Sequence, residues 1–174
     1  AEIVRAGSVS RAVLAGSFAS PLLHWLKQPV FLEHVWHDSR GGKTATLKLA
    51  LSVWGDPVKL LTSYHATAVG LERSCAAMKH LPLGLDELQA LAEKRMTVES
   101  IVYSLGNGFG KLRGAKNGGL QKTLQWRNII LSTGEMPLIR ESCMDGVGSR
   151  VLELYGRPIA DEAIAREMHQ VSER

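Results

Sequence analysis

The hydrophobic pattern of the chain changes period several times. Val9, Val13, Phe18, Leu22, Leu23 and Leu26 fall near helical spacing and predict a helix over residues 8–28, which Pro21 breaks or starts late. His24 and Trp25 in that stretch read as packing residues. An apolar run, Val30–Trp36, has the length of a core strand. Thr44–Trp54 returns to helical spacing and is closed by Gly55 and Pro57, a strong stop signal. Lys59–Thr67 is predicted as a second strand before a helix over 68–79. Leu81–Leu85 is a third strand, running into a helix over 86–104. Leu124–Ser132 is a strong strand, Val151–Leu154 a shorter one. Asp161–Ser172 is a terminal helix with Glu162 and Arg166 at favourable spacing.

Strands alternating with helices predict an α/β domain with a mostly parallel central sheet flanked by helices. Such sheets bind ligands at the carboxyl ends of their strands. His37, Asp86–Glu87 and Ser132–Thr133 all follow strand ends and can therefore converge on one edge. The 174 residues read as one domain: a helical segment over 1–29, a core over 30–155 and a C-terminal helix over 156–174. The chain opens with Ala and stops in a charged helix, so a piece of a larger protein is expected.

The loop after the first strand carries the most chemistry. Residues 37–44 read His-Asp-Ser-Arg-Gly-Gly-Lys-Thr and lie between the first strand and the next helix. Strand, Gly-rich loop, Lys-Thr and helix is the layout of a P-loop. Backbone N–H groups of Asp38, Ser39, Arg40, Gly41, Gly42, Lys43, Thr44 and Ala45 would cradle phosphates. Lys43 would reach the β/γ oxygens and the Thr44 hydroxyl would take Mg²⁺. The pattern G-x-x-x-x-G-K-[ST] wants Gly at position 37, where this chain has His37. A second signal follows about forty residues later: the run Leu81–Leu85 ends in Asp86 and Glu87. A P-loop sheet delivers a carboxylate to Mg²⁺ from that place, here Asp86, with Glu87 free to polarise the attacking water. The plainer alternative is a buried strand capped by solvated acids. A third polar position, Ser132–Thr133, ends the strand Asn128–Leu131. Ring-forming P-loop ATPases often place a side chain there, called sensor 1, that orients the water or senses the γ-phosphate. Arg150, in Gly146-Val147-Gly148-Ser149-Arg150, is a candidate arginine finger acting in a neighbouring subunit, with Arg140 competing.

Composition and charge narrow the picture further. Apolar content of 45% and charged content of 22% are ordinary for a globular domain. No stretch reaches the length of a membrane span; Ser17 interrupts the apolar run Ala12–Ala19 and Ser20 follows it, and an amphipathic pattern continues into the Gly-rich loop, which argues against a signal peptide. Two cysteines, Cys75 and Cys143, show neither metal-ligand spacing nor a disulfide framework, so a reducing cytoplasm is expected. The net charge is +4, and its distribution is uneven: no acid occurs between Glu99 and Glu135, while Lys111, Arg113, Lys116, Lys122 and Arg127 do. Such a segment suggests a polyanion partner. A solvated loop is the alternative.

Taken in order, several segments resemble one family. They are Ala19–Leu23, Trp36–Thr44, Leu49–Gly55, Ala66–Thr67, Gly70–Glu72, Leu81–Leu88, Asn107–Arg113, Trp126–Arg127 and Leu131–Glu135. The family is the helicase-like domain of bacterial mobile elements and phages known as domain of unknown function 927. The resemblance covers nearly the whole chain. It implies an additional-strand, AAA+-like P-loop ATPase related to superfamily 3 helicases, found beside primase or replicative helicase features. The family usually has Gly where His37 stands, so a side chain is expected to crowd the turn. In related ring helicases a hairpin before the sensor strand projects into the pore. Gly106–Gly119 occupies that slot, which implies that Lys111, Arg113 and Lys116 meet phosphates and Phe109 lies against a base or sugar.

The expected function is an ATP- and Mg²⁺-dependent motor of a DNA helicase or primase-helicase serving a mobile element. It would form a homo-oligomeric ring on single-stranded DNA or a fork, away from membranes. One alternative is a P-loop scaffold or nucleic-acid-binding module of a replication protein that has lost nucleotide binding. A small phosphotransferase is a third, disfavoured because the acid pair suits water activation and no Arg-rich lid is evident.

Overall fold

The structure, a computed structural model, describes residues 7–88, 97–115, 118–139, 145–159 and 163–164. The predicted helix over 8–28 is two helices, α1 (Ser8–Ala19) and α2 (Leu22–Trp25). The break falls at Ser20–Pro21, where a buried hydroxyl is put to use. Ser20 Oγ donates to the His80 carbonyl at 2.8 Å and accepts from the Ile129 amide at 2.9 Å, pinning the turn to the start of a central strand.

β1 (Phe31–Trp36) leads through the Gly-rich loop into α3 (Lys43–Ser52). The predicted strand Lys59–Thr67 is shorter than its apolar pattern suggested. Asp56 accepts from the Val58 amide, and Pro57 sits in the first helical turn, so the segment begins as α4 (Pro57–Leu60) before β2 (Leu61–Ser63). Thr67 caps α5 (Ala68–Met78) through the Gly70 amide. β3 (Leu83–Asp86) and α6 (Val98–Gly106) follow, and the Thr97 side chain caps α6. The single helix expected over 86–104 is not found: Asp86 belongs to β3, Glu87 is left-handed, and α6 starts afresh after the extended Thr97, while 89–96 lie outside the described residues.

β4 (Ile129–Gly134) starts later than predicted. Leu124–Gln125 belongs instead to the returning arm of a hairpin, with antiparallel bridges Phe109–Gln125 and Gly114–Leu120. The short helix α7 (Asp145–Gly148) precedes β5 (Val151–Tyr155). Of the predicted terminal helix, only 163–164 lie within the described residues.

The five strands form one sheet in the order β2-β3-β4-β1-β5, and every pair is parallel. β4 therefore separates the strand that feeds the Gly-rich loop from the strand that carries the acids. Side-chain alternation gives each sheet face its own core. On one face Val35, Ile129 and Leu131 pack with Val13 of α1 and Leu47 and Leu51 of α3. On the other, Leu32, Leu85 and Ile130 pack with Leu71 and Cys75 of α5 and Val102 and Leu105 of α6. Burial in that second core pushes the Cys75 thiol up to about 12 and leaves it inert.

Candidate active site

The loop after β1 turns by two left-handed residues, Arg40 (φ 62°) and Gly42 (φ 77°). At Gly42 the conformation is required by more than backbone preference: a Cβ there would lie 2.6 Å from Ile159 Cδ1. Gly42 is also the N-cap of α3, and no side chain caps it. The free amides of the first turn and the positive end of the helix dipole are left for an anion.

Beside them lies a cleft of about 400 Å³. Ser39, Arg40, Gly41, Gly42, Lys43, Thr44 and Ala45 all line it, together with Asp86, Glu87, Thr133 and Glu135. Asp38 is outside the lining and contributes its carbonyl. Lys43 Nζ donates to the carbonyls of His37 at 2.7 Å and Asp38 at 2.8 Å. Burial lowers its pKa, and the negative charges of Glu135, Asp86 and Asp38 oppose the shift. The ammonium is thus held in the loop by neutral carbonyls, with three carboxylates in its field.

The acid pair stands across β4 from Lys43. Asp86 is buried and accepts from both the Thr133 hydroxyl and the Glu87 amide. Glu87 is exposed to the cleft on a left-handed backbone, φ 65°, which turns the chain sharply after β3.

Ser132 and Thr133, equivalent in sequence, have different places. Alternation along β4 puts Thr133 on the α3 face, against Asp86. Ser132 lies on the opposite face, in a buried chain of hydrogen bonds. The Met136 carbonyl can only accept, so His34 Nε2 donates to it at 3.0 Å. His34 Nδ1 then accepts from Ser132 Oγ at 2.8 Å, and Ser132 accepts from the Tyr64 hydroxyl at 2.7 Å. Burial drives the His34 pKa down to about 4, and the Lys43 charge adds to that against the Met136 carbonyl, so the ring is neutral. Every polar atom of this chain has a partner, which leaves Ser132 buried and engaged away from the cleft.

His37 does not block the turn. Its ring lies 5.6 Å from that of Tyr155, which also packs 4.4 Å from Trp36. Its Nδ1 faces the position a Gly41 Cβ would take.

The residue that sequence reasoning missed is Glu135. Its carboxylate accepts from the Ser39 hydroxyl and lies near Lys43. The signal was available in its place, directly after Ser132-Thr133-Gly134, but an acid just beyond a strand looks like any solvated turn residue.

The remaining predicted residues lie elsewhere. Arg150 is at the start of β5, outside this chain's own cleft. It donates to the Gly146 carbonyl at 2.8 Å and lies 5.1 Å above the Tyr103 ring. Arg140 and Lys116 fall outside the described residues. Phe109 and Lys111 are exposed on the hairpin, whereas Arg113 is bound to the buried Glu72 at 2.6 Å. That ion pair ties the hairpin to α5.

The parallel sheet, with one strand inserted between the loop strand and the acid strand, defines a P-loop-NTPase-like α/β fold. The chain belongs to the family described as a domain of unknown function (DUF927), whose sequence model matches residues 1–126. Its fold is similar to that of a solved structure described as SCCmec type IV Cch, an active helicase. The two are 22% identical, with a TM-score of 0.71 over 94% of this chain, which spans 31% of that one. No curated protein matches the chain. Among the described residues, no helix is long and apolar enough to cross a membrane.

Proposed function

We propose that this domain is the ATP-hydrolysing motor of a DNA helicase or primase-helicase that serves a mobile genetic element. One observation carries the reading: Lys43, the uncapped start of α3, Asp86, Glu87 and Thr133 line a single cleft at the carboxyl ends of the strands. The helicase assignment draws on the likeness to the SCCmec protein and on the family resemblance.

The residues fit a nucleoside triphosphate and its Mg²⁺. Free helix amides and Lys43 supply positive potential where phosphates would sit, and Gly42 keeps a side chain out of the way. Thr44 and Asp86 would hold the metal, which neutralises phosphate charge when bound. On binding, Lys43 exchanges two carbonyls for phosphate oxygens. Glu87, exposed to the cleft, accepts a proton from the attacking water. Thr133 fixes the Asp86 carboxylate and takes the sensor position, in place of Ser132.

A working ring is part of the proposal. Its finger would be Arg150, released from Tyr103 and the Gly146 carbonyl, or Arg140. On the nucleic-acid side, Lys111 and Phe109 face outward on the hairpin, and Arg113 holds its base.

The test is ATP turnover by the full-length protein with and without single-stranded DNA. Turnover stimulated by DNA and lowered at least 100-fold in Lys43→Ala, the order expected when a phosphate-holding charge is lost, is the expected result. Unaltered turnover in that variant would reject the motor. ATP·Mg²⁺ binding without turnover would indicate a site that holds nucleotide but does not hydrolyse it, and neither binding nor turnover would leave the scaffold reading.

A further inference from the structure

The sheet end opposite the cleft carries a groove of about 1870 Å³. Trp25, the last residue of α2, and Lys27 just after it form one wall. The root of the hairpin, with Phe109, Lys122 and Arg127, forms the other. His24 and His80 stack at 4.1 Å between α2 and the turn before β3. The lining includes five fixed positive charges, Lys27, Lys79, Lys111, Lys122 and Arg127, and no carboxylate. The whole chain has a net charge of only +4, so the remainder of the molecule is slightly acidic. The positive potential is concentrated here.

The groove also exposes aromatic surface that the core does not use. Trp25 is 79% exposed and Phe109 57%. An indole left in water beside lysines offers a flat face to a ligand that is both anionic and aromatic. Single-stranded nucleic acid supplies both, because its phosphates follow a basic track while its unstacked bases lie on rings. A duplex supplies the phosphates but keeps its base faces stacked inside, and an acidic protein surface has no use for Trp25.

We propose that this groove is a binding track for single-stranded nucleic acid, with Trp25 as its principal stacking platform and Lys27, Lys79, Lys122 and Arg127 along the backbone path. The proposal shares the nucleic-acid partner of the proposed function and is independent of its nucleotide chemistry. It extends the contact from the hairpin onto α2 and the end of α5.

The experiment is a fluorescence-anisotropy titration of a labelled oligothymidylate with the full chain, without nucleotide. Trp25→Ala is expected to weaken binding roughly tenfold or more, as loss of one stacked base does. Lys27→Gln with Lys122→Gln is expected to make the slope of log K against log salt shallower by about 1.4, the counterion release of two phosphate contacts on a single strand. All three side chains are exposed, so the fold does not depend on them. Absence of binding at low salt, wild-type affinity in Trp25→Ala, or a duplex bound as tightly as the single strand each overturns the groove. If only Lys111→Ala weakens binding, the hairpin contact stands and the groove falls. If the groove variants weaken binding in a protein that hydrolyses no ATP, the groove stands and the motor falls.

Discussion

Glu33 and His34 are neighbours in β1 and, by alternation, face opposite sides of the sheet. Both are buried and their titrations are displaced in opposite directions. Burial beneath α1, with one carboxylate oxygen lacking a hydrogen-bond partner, raises Glu33 from 4.5 to about 7. His34 falls from 6.5 to about 4. Between pH 4.5 and 7 the folded chain holds a proton on Glu33 that the unfolded chain releases, so this group's contribution to stability declines as pH rises. Between pH 4 and 6.5 the unfolded chain protonates His34 and the folded chain does not, so that contribution grows with pH. Each is worth on the order of 3 kcal/mol, and across their shared window they offset one another. Glu33→Gln should therefore gain stability over the wild type progressively from pH 4.5 to 7, with a constant advantage above that. Urea titrations across that range check it; a difference that does not vary with pH would contradict it. Little of this was legible beforehand. Glu33 and His34 interrupt an apolar run, and no pattern in sequence says which face of a doubly covered strand each will meet. The same uncertainty left Ser132 and Thr133 interchangeable until the phase of β4 was fixed.

At the scale of elements, the segments that were legible are those whose signals are local. The Gly-rich loop, α3 with its Gly55–Pro57 stop, and β3 ending in its acids all appear within a residue or two of expectation. The less legible ones depend on distant partners. Leu124–Gln125 has the pattern of a strand and pairs as one, but with Phe109 and not with the sheet. Arg113 looked like a free cation in an acid-poor segment. Its partner, Glu72, lies 41 residues earlier on α5 and is fully buried. Removing the guanidinium strands that carboxylate, and Arg113→Ala is expected to cost about 3 kcal/mol. Arg113→Met combined with Glu72→Met removes both charges and should recover most of the loss, because an apolar pair satisfies the site as well as an ionic one. Chemical denaturation of the two variants separates them. Equal losses would mean that the pair does not anchor the hairpin.

For the whole molecule, the strand order brings the loop and the acids to one cleft although β1 and β3 are not neighbours. Alternating elements were enough to predict a parallel sheet; the inserted β4 came from the family resemblance. Since the cleft exists only when β1, β3 and β4 are assembled, a ligand held there favours the folded state alone. ATP·Mg²⁺ at one hundred times its dissociation constant should add about 2.7 kcal/mol and raise the melting temperature. Lys43→Ala should remove the rise, and a persisting rise would place nucleotide elsewhere.

β4 has one further property. Its first residues continue the arm that returns from the hairpin, and its last residues stand between Lys43 and Asp86. The strand is in effect a stiff rod joining two ends of the molecule, fastened near its lower end by the Ser20 hydroxyl. In the motor proposed above, a pull on the hairpin would reach Thr133 along this strand, and with it the carboxylate that its hydroxyl holds. A machine that must convert traction on a polymer into the timing of bond cleavage would need such a lever.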